Sequence, residues 1–300
     1  MKILRASHLG MCFGVRDAIQ LATRTARERP LTILGQLVHN ETVLARLHAS
    51  GIRLADSPGD ITTPTVMITA HGAANRARAA LRDRGFQVLE ATCPLVQLAH
   101  HAVLRLARAG YHPVIVGRRD HVEVRGLTGD LDQFDVVLNE ADVDELAERP
   151  RFGVAAQTTQ PIARVRALVE RLRRRFPASE VKFVDTVCRP TKERQTAAEE
   201  LARVCDVVVV IGGAHSNNTR ELAATCGRQG ARVYHVQGAA DLRREWFGEA
   251  SVVGLTAGTS TPDSVIEAVE RQLREWAAGV EHAEIMPASS ESLHAQPVTA

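Results

Sequence analysis

Lysine is nearly absent from this 300-residue chain, which has it only at Lys2, Lys182 and Lys192. Its 37 basic residues are therefore almost all arginine, a cation suited to phosphate. Against 35 acidic residues they leave a formal charge of +2, too small for the basic footprint of a nucleic-acid-binding protein. No apolar run has the length of a membrane span, and the longest, Val207–Ile211, reads as a strand. Neither G-x-G-x-x-G nor G-x-x-x-x-G-K-[ST] occurs, which excludes the dinucleotide fingerprint and the phosphate loop. Cysteine is scarce too: five residues, odd in number and widely spaced, make no disulfide framework and point to a reducing cytoplasm. MKILRAS reads directly into fold rather than as a leader, so a cytoplasmic protein is expected.

What remains is an ordinary globular composition, 45% hydrophobic and 24% charged, in a chain long enough for two or three subdomains. Short apolar runs alternate with helical-period segments, the pattern of α/β units on largely parallel sheets. The arginine-rich run at 171–175 ends such a helix and reads as its solvated C-terminus. Residues 286–300, rich in Ser, Ala, Pro and Gln, read as a disordered tail.

Within the α/β pattern one unit recurs three times. Cys12, Cys93 and Cys188 each end or closely follow a strand-like run, and Gly35, Gly117 and Gly212 end a second run at nearly equal distances beyond them. Four residues after each glycine stand His39, His121 and Ser216. A third run in each unit ends at ITAHG with His71, at VAAQTT with Thr158 and at LTAGTS with Ser260. The units divide the chain at 1–85, 86–180 and 181–285. Reactive groups gather beyond the carboxyl ends of strands in open α/β sheets, so the repeat implies one shared site on a pseudo-threefold axis.

A lone cysteine is usually a small buried hydrophobe, and Cys205 and Cys226 are read so. Independent core cysteines have no reason to recur in register, so Cys12, Cys93 and Cys188 suggest a metal centre. Structural zinc takes four ligands, often in close pairs, and no C-x-x-C occurs here. Three thiolates suit a four-iron cluster with one iron open to an oxygen ligand, which makes iron–sulfur the leading hypothesis.

The segments Gly10-Met11-Cys12-Phe13-Gly14-Val15, Leu37-Val38-His39-Asn40, Ala70-His71-Gly72, Ala91-Thr92-Cys93-Pro94-Leu95-Val96, Gln157-Thr158-Thr159 and Thr256-Ala257-Gly258-Thr259-Ser260-Thr261-Pro262-Asp263 resemble, in order, the 4-hydroxy-3-methylbut-2-enyl diphosphate reductase, or LytB, family. The resemblance implies a trefoil of three α/β units around a 4Fe-4S cluster held by Cys12, Cys93 and Cys188, with one open iron. It implies a two-electron reductive dehydration of the allylic diphosphate to isopentenyl and dimethylallyl diphosphate, the last step of the methylerythritol phosphate route. Ferredoxin or flavodoxin would be the electron donor, and the oligomeric state is left open.

By the same resemblance, His39, His71, His121, Thr158, Ser216, Asn217, Asn218 and Ser260 are the expected substrate-binding groups. Glu123, His121 and Thr158 are the expected catalytic groups, with Glu123 the proton donor and Thr158 its relay. Glu41, the matching glutamate of the first unit, is read as the start of a helix. The chain also departs from the family. Val122 stands where His-Pro-Glu is usual, Asn217 where a second serine is common, and Arg118-Arg119-Asp120 brings extra charge. These departures keep a divergent paralogue in view. The cysteine repeat would also suit a three-cysteine dehydratase of the quinolinate synthase type or a non-enzymatic iron–sulfur redox sensor.

Overall fold

Valine and isoleucine runs too short for helices become parallel strands here, and the amphipathic stretches between them become the crossover helices. The structure is a computed structural model that describes residues 1–284, so the tail expected at 286–300 lies outside the described residues. The chain opens with β1 (Lys2–Arg5), α1 (Phe13–Glu28), β2 (Leu31–Leu34), α2 (Glu41–Ala49), β3 (Arg53–Ala55), β4 (Thr65–Ile68), α3 (Asn75–Asp83) and β5 (Gln87–Glu90). It continues through α4 (Pro94–Arg108), β6 (His112–Val116), α5 (Val122–Thr128), β7 (Asp135–Val137), α6 (Glu140–Asp144), β8 (Arg151–Ala156), α7 (Ile162–Arg175) and β9 (Glu180–Phe183). It closes with α8 (Arg189–Ala202), β10 (Val207–Ile211), α9 (Asn217–Arg228), β11 (Arg232–Val236), β12 (Val252–Ala257) and α10 (Asp263–Glu284).

The strands form three four-stranded sheets, ordered β3-β2-β4-β5, β7-β6-β8-β9 and β1-β12-β10-β11. Every pairing is parallel. Alternate residues of the central strands feed separate cores on the two faces. Val207, Val209 and Ile211 pack with Leu255, Ile266 and Val269, whereas Val208 and Val210 pack with Ala198, Leu201 and Leu222. Such two-sided burial of each Val or Ile contributes roughly 1.5–3 kcal/mol and fixes the strand register.

Strand pairing differs from the linear division at 85 and 180. β5 completes the sheet of β4, and β9 completes that of β8, because each follows its neighbour through one crossover helix. β1 pairs with β12, so the N-terminal strand closes the last sheet. The sheets therefore comprise residues 31–90, 112–183, and 207–257 with 2–5. Each cysteine lies where the chain leaves one sheet for the next, at the N-cap of α1, α4 or α8. Among the described residues no helix is long and apolar enough to cross a membrane.

Candidate active site

The threefold repeat is visible in the backbone hydrogen bonds. The N–H groups of Cys12, Cys93 and Cys188 each donate, at 3.0 Å, to a carbonyl just beyond a neighbouring strand: Thr259, Ala70 and Thr158. Gly35, Gly117 and Gly212 likewise donate to Ala55, Val137 and Val236 at 2.7–2.9 Å. Equivalent turns thus carry equivalent side chains to one shared cavity. Its walls include all the residues expected from the sequence: Cys12, Cys93, Cys188, His39, His71, His121, Glu123, Thr158, Ser216, Asn217, Asn218 and Ser260.

The thiols enter at the N-termini of three helices of 16, 15 and 14 residues, where unpaired N–H groups and the helix dipole favour negative charge. Gly14 is pressed against Cys93, and a Cβ there would occupy the space of the Cys93 sulfur. Cys188 Sγ donates to Thr191 Oγ1 at 3.1 Å. Burial outweighs these effects for two thiols, raising Cys93 above its ordinary value and Cys188 to about 11. A group that binds thiolate must therefore displace their protons. Among the described residues no three His, Cys, Asp or Glu side chains are close enough to share a single ion. Three free thiols on one cavity wall suit a wider, sulfur-loving group such as an iron–sulfur cluster.

His39, His71 and His121 pack against one another, with ring centroids 4.4 Å apart for the first two and 5.3 and 5.6 Å from these to His121. Burial, then repulsion from His215 and Arg118, lowers the pKa of His39. Burial, then repulsion from the other two rings, holds His71 well below the usual range. His121 falls to about 3 through burial, then repulsion from His39 and Arg118. All three rings are thus held toward their neutral forms. His121 Nδ1 accepts from the Glu123 N–H at 3.1 Å, so its ring proton sits on Nε2, free to donate.

Glu123 is 2% exposed, and burial raises its carboxyl to about 7 even though Thr158 stabilises the charged form. Val122 is the first residue of α5 with His121 as its N-cap, a position where proline is favoured but its missing N–H makes little difference. The valine therefore leaves the helix start intact. Arg118, part of the unusual charged stretch, pairs with Asp120 at 2.6 Å. Glu41 opens α2 behind the Asn40 cap, as expected.

The two asparagines divide their roles. Asn217 Nδ2 donates to the Thr159 carbonyl at 3.3 Å and to its hydroxyl at 3.1 Å, tying the third unit to the second. Its amide is therefore engaged rather than free for substrate. Asn218 Nδ2 is buried at the N-terminus of the 12-residue α9 without a partner among the described residues. An unpaired donor at a helix N-terminus is suited to an anion. Ser216 Oγ caps α9 by accepting from the Thr219 N–H, which leaves its own proton available. Ser260 donates to the His39 carbonyl at 3.2 Å, and a Cβ on Gly213 would meet that carbonyl at 2.5 Å, so the first and third units meet closely there.

Sequence reasoning assigned no role to His215 beside His39, Thr191 beneath Cys188, or Thr159. Only Thr191 had a local signal: it lies three residues after a helix N-cap, where side chains face back toward the cap.

The family model described as "LytB protein" matches residues 3–274. The 4-hydroxy-3-methylbut-2-enyl diphosphate reductase of Aquifex aeolicus (strain VF5) is 36% identical over 283 residues, covering 92% of this chain and 97% of that protein. The enzyme of the same name from Anaeromyxobacter sp. (strain Fw109-5) is 38% identical over 278 residues, covering 91% and 97%. A solved structure of (E)-4-hydroxy-3-methyl-but-2-enyl diphosphate reductase, the terminal enzyme of the non-mevalonate pathway, is 36% identical with a TM-score of 0.66 and covers 92% of this chain and 100% of that one. The Plasmodium falciparum E-1-hydroxy-2-methyl-but-2-enyl-4-diphosphate reductase structure, at 22% identity, shares the fold with a TM-score of 0.85 over 94% of this chain and 99% of that one.

Proposed function

The chain belongs to the LytB family, and from that premise we propose that it is a 4-hydroxy-3-methylbut-2-enyl diphosphate reductase. The reaction consumes two electrons and two protons, breaks the allylic C–O bond, and releases water with isopentenyl or dimethylallyl diphosphate. The observation that carries this reading is the single cavity in which three helix-capping cysteines face a buried carboxyl and a ring of phosphate donors. Cys12, Cys93 and Cys188 would hold a 4Fe-4S cluster. When bound, that cluster supplies electrons singly and a Lewis-acidic iron.

The remaining work falls to the side chains. Asn218 and Ser216, with the N-terminus of α9, bind the diphosphate, and the Ser260 hydroxyl joins them by turning from the His39 carbonyl. His121 donates from Nε2 as a neutral ring, and His39 and His71 join once the negative charge raises their pKa values, giving charge-assisted hydrogen bonds. Val15, Val38, Leu95 and Val96 offer the five-carbon chain an apolar wall and limit water. Glu123 holds the proton required by the departing hydroxyl, and Thr158 positions its carboxyl through a 2.6 Å bond from the backbone N–H.

Ferredoxin or flavodoxin is the proposed electron source, and five free thiols fit a reducing cytoplasm. The buried donor set favours a reductase over a redox sensor, which needs neither Glu123 nor phosphate ligands. Adding the allylic diphosphate to the anaerobic, cluster-loaded protein tests the distinction. The reductase reading expects a change in the cluster's electronic spectrum, and an unchanged spectrum at saturating substrate would refute it.

A further inference from the structure

Arg194 lies in the second turn of α8 and is only 7% exposed. Its Nε and Nη2 donate to the Gly10 carbonyl at 3.1 and 2.7 Å, and its Nη1 donates to the Pro190 carbonyl at 2.9 Å. Gly10 stands two residues before Cys12, and Pro190 two residues after Cys188. One planar guanidinium thus fastens together two of the cysteine-bearing segments. The Gly10 carbonyl is itself fixed: φ is +75°, its N–H donates to the Ala257 carbonyl at 3.1 Å, and a Cβ would meet Ile266 at 2.8 Å.

A buried guanidinium that bonds only to carbonyls carries a charge without a counter-ion. Among the described residues no carboxylate forms an ion pair with Arg194, and adjacent Glu193 pairs with Arg189 at 2.6 Å. Burial disfavours the charged form, and the groups that most oppose this are Cys12 and Cys188. An unpaired buried cation is costly, so its retention calls for a nearby anion. Thiolates holding an iron–sulfur cluster would be that anion, and the cluster grows more negative by one charge with each electron.

We propose that Arg194 is a positioning residue that clamps the Cys12 and Cys188 segments and lends a buried positive charge to the reduced state of the cluster. The inference depends on the cluster reading. A merely structural clamp would act through its hydrogen bonds alone. Charge stabilisation acts through the potential, and lysine retains the charge while losing the forked geometry.

The test is an anaerobic redox titration of the cluster, followed by its paramagnetic signal, in full-length parent protein, Arg194→Lys and Arg194→Gln, each with iron and sulfide measured. The expected result is a midpoint for Arg194→Gln more negative than the parent's, with Arg194→Lys lying close to the parent but melting at a lower temperature. Arg194→Lys decides the matter even if Arg194→Gln fails to fold, because a lysine variant with a clearly more negative midpoint would overturn the charge role. A loaded Arg194→Gln protein with the parent's midpoint would overturn it as well. A folded parent protein that takes up no iron would refute the cluster reading itself, and the inference with it.

Discussion

The carboxylate of Glu123 accepts a hydrogen bond from the backbone N–H of Thr158 at 2.6 Å, and the same Thr158 offers its carbonyl to the N–H of Cys188 at 3.0 Å. One residue thus connects the proposed proton donor to a proposed cluster ligand. Both of its contacts are made by backbone atoms of Thr158, which no rotamer change of the threonine can disturb.

Glu123→Gln keeps the Thr158 hydrogen bond and loses the proton. Turnover is expected to fall roughly 10²- to 10⁴-fold while iron content and substrate affinity remain near the parent's. With the Glu123 carboxyl raised to about 7, parent kcat/KM falls as pH rises through that value. Unchanged turnover in the variant would remove Glu123 from the proton path.

The same carboxyl affects stability. Its folded pKa of about 7 exceeds its unfolded value, so the folded form binds more protons between roughly pH 4.5 and 7. Stability is full below that window and declines as pH rises through it, by about 3 kcal/mol at most. Cluster-free Glu123→Gln should therefore melt above the parent at pH 8 and with it at pH 4. Equal melting temperatures at both pH values would contradict the buried-acid assignment.

The three histidines are neutral in the free pocket because burial leads the causes that depress each of them. Binding a diphosphate reverses the balance for His39 and His71, so substrate binding takes up protons near pH 7 and weakens as pH rises. Calorimetry without reductant, in two buffers of different ionisation enthalpy, measures this directly. Identical heats in both buffers would show that the histidines stay neutral.

Asn218→Ala removes a buried donor that has no partner among the described residues, whereas Asn217→Ala cuts the link to Thr159. The first should weaken substrate binding roughly 10- to 100-fold with little loss of stability. The second should chiefly lower the melting temperature. Binding titrations and thermal melts on both variants separate the roles, and an unchanged affinity in Asn218→Ala would count against its place in the diphosphate site.

Cys12→Ser, Cys93→Ser and Cys188→Ser should each lose a stable cluster, and Gly14→Ala should weaken it by crowding Cys93. Cys205 and Cys226 pack among Ala198, Leu201 and Val208, so Cys205→Ser and Cys226→Ser should keep their iron at a cost of about 1 kcal/mol in stability. Iron analysis distinguishes the two sets, and normal iron in all of the first would contradict the ligand assignment.

The site was legible in the sequence because its residues occupy turn positions that repeat, and a turn of fixed length delivers its side chain to a fixed place. Cys12, Cys93 and Cys188 could be recognised as equivalent before their shared N-cap positions were known. The pairing of β1 with β12 was not legible, since hydrogen-bond partners some 250 residues apart leave no local pattern. Nor was the separation of Asn217 from Asn218. Adjacent residues at a helix start point in different directions, and only the packed Thr159 shows which of them is engaged. The burial of Arg194 was not legible either, as arginine usually marks a surface and its burial follows from how α8 meets the Gly10 turn.

Turnover of 4-hydroxy-3-methylbut-2-enyl diphosphate by anaerobically reconstituted protein, with chemically reduced viologen as donor and iron measured in the same sample, tests the central claim most directly. Donor oxidation with release of both five-carbon diphosphates is the expected result, and it would show that Val122 and Asn217 are tolerated variation. A fully loaded cluster that leaves the substrate untouched would contradict the reductase assignment and point to a divergent enzyme with another substrate.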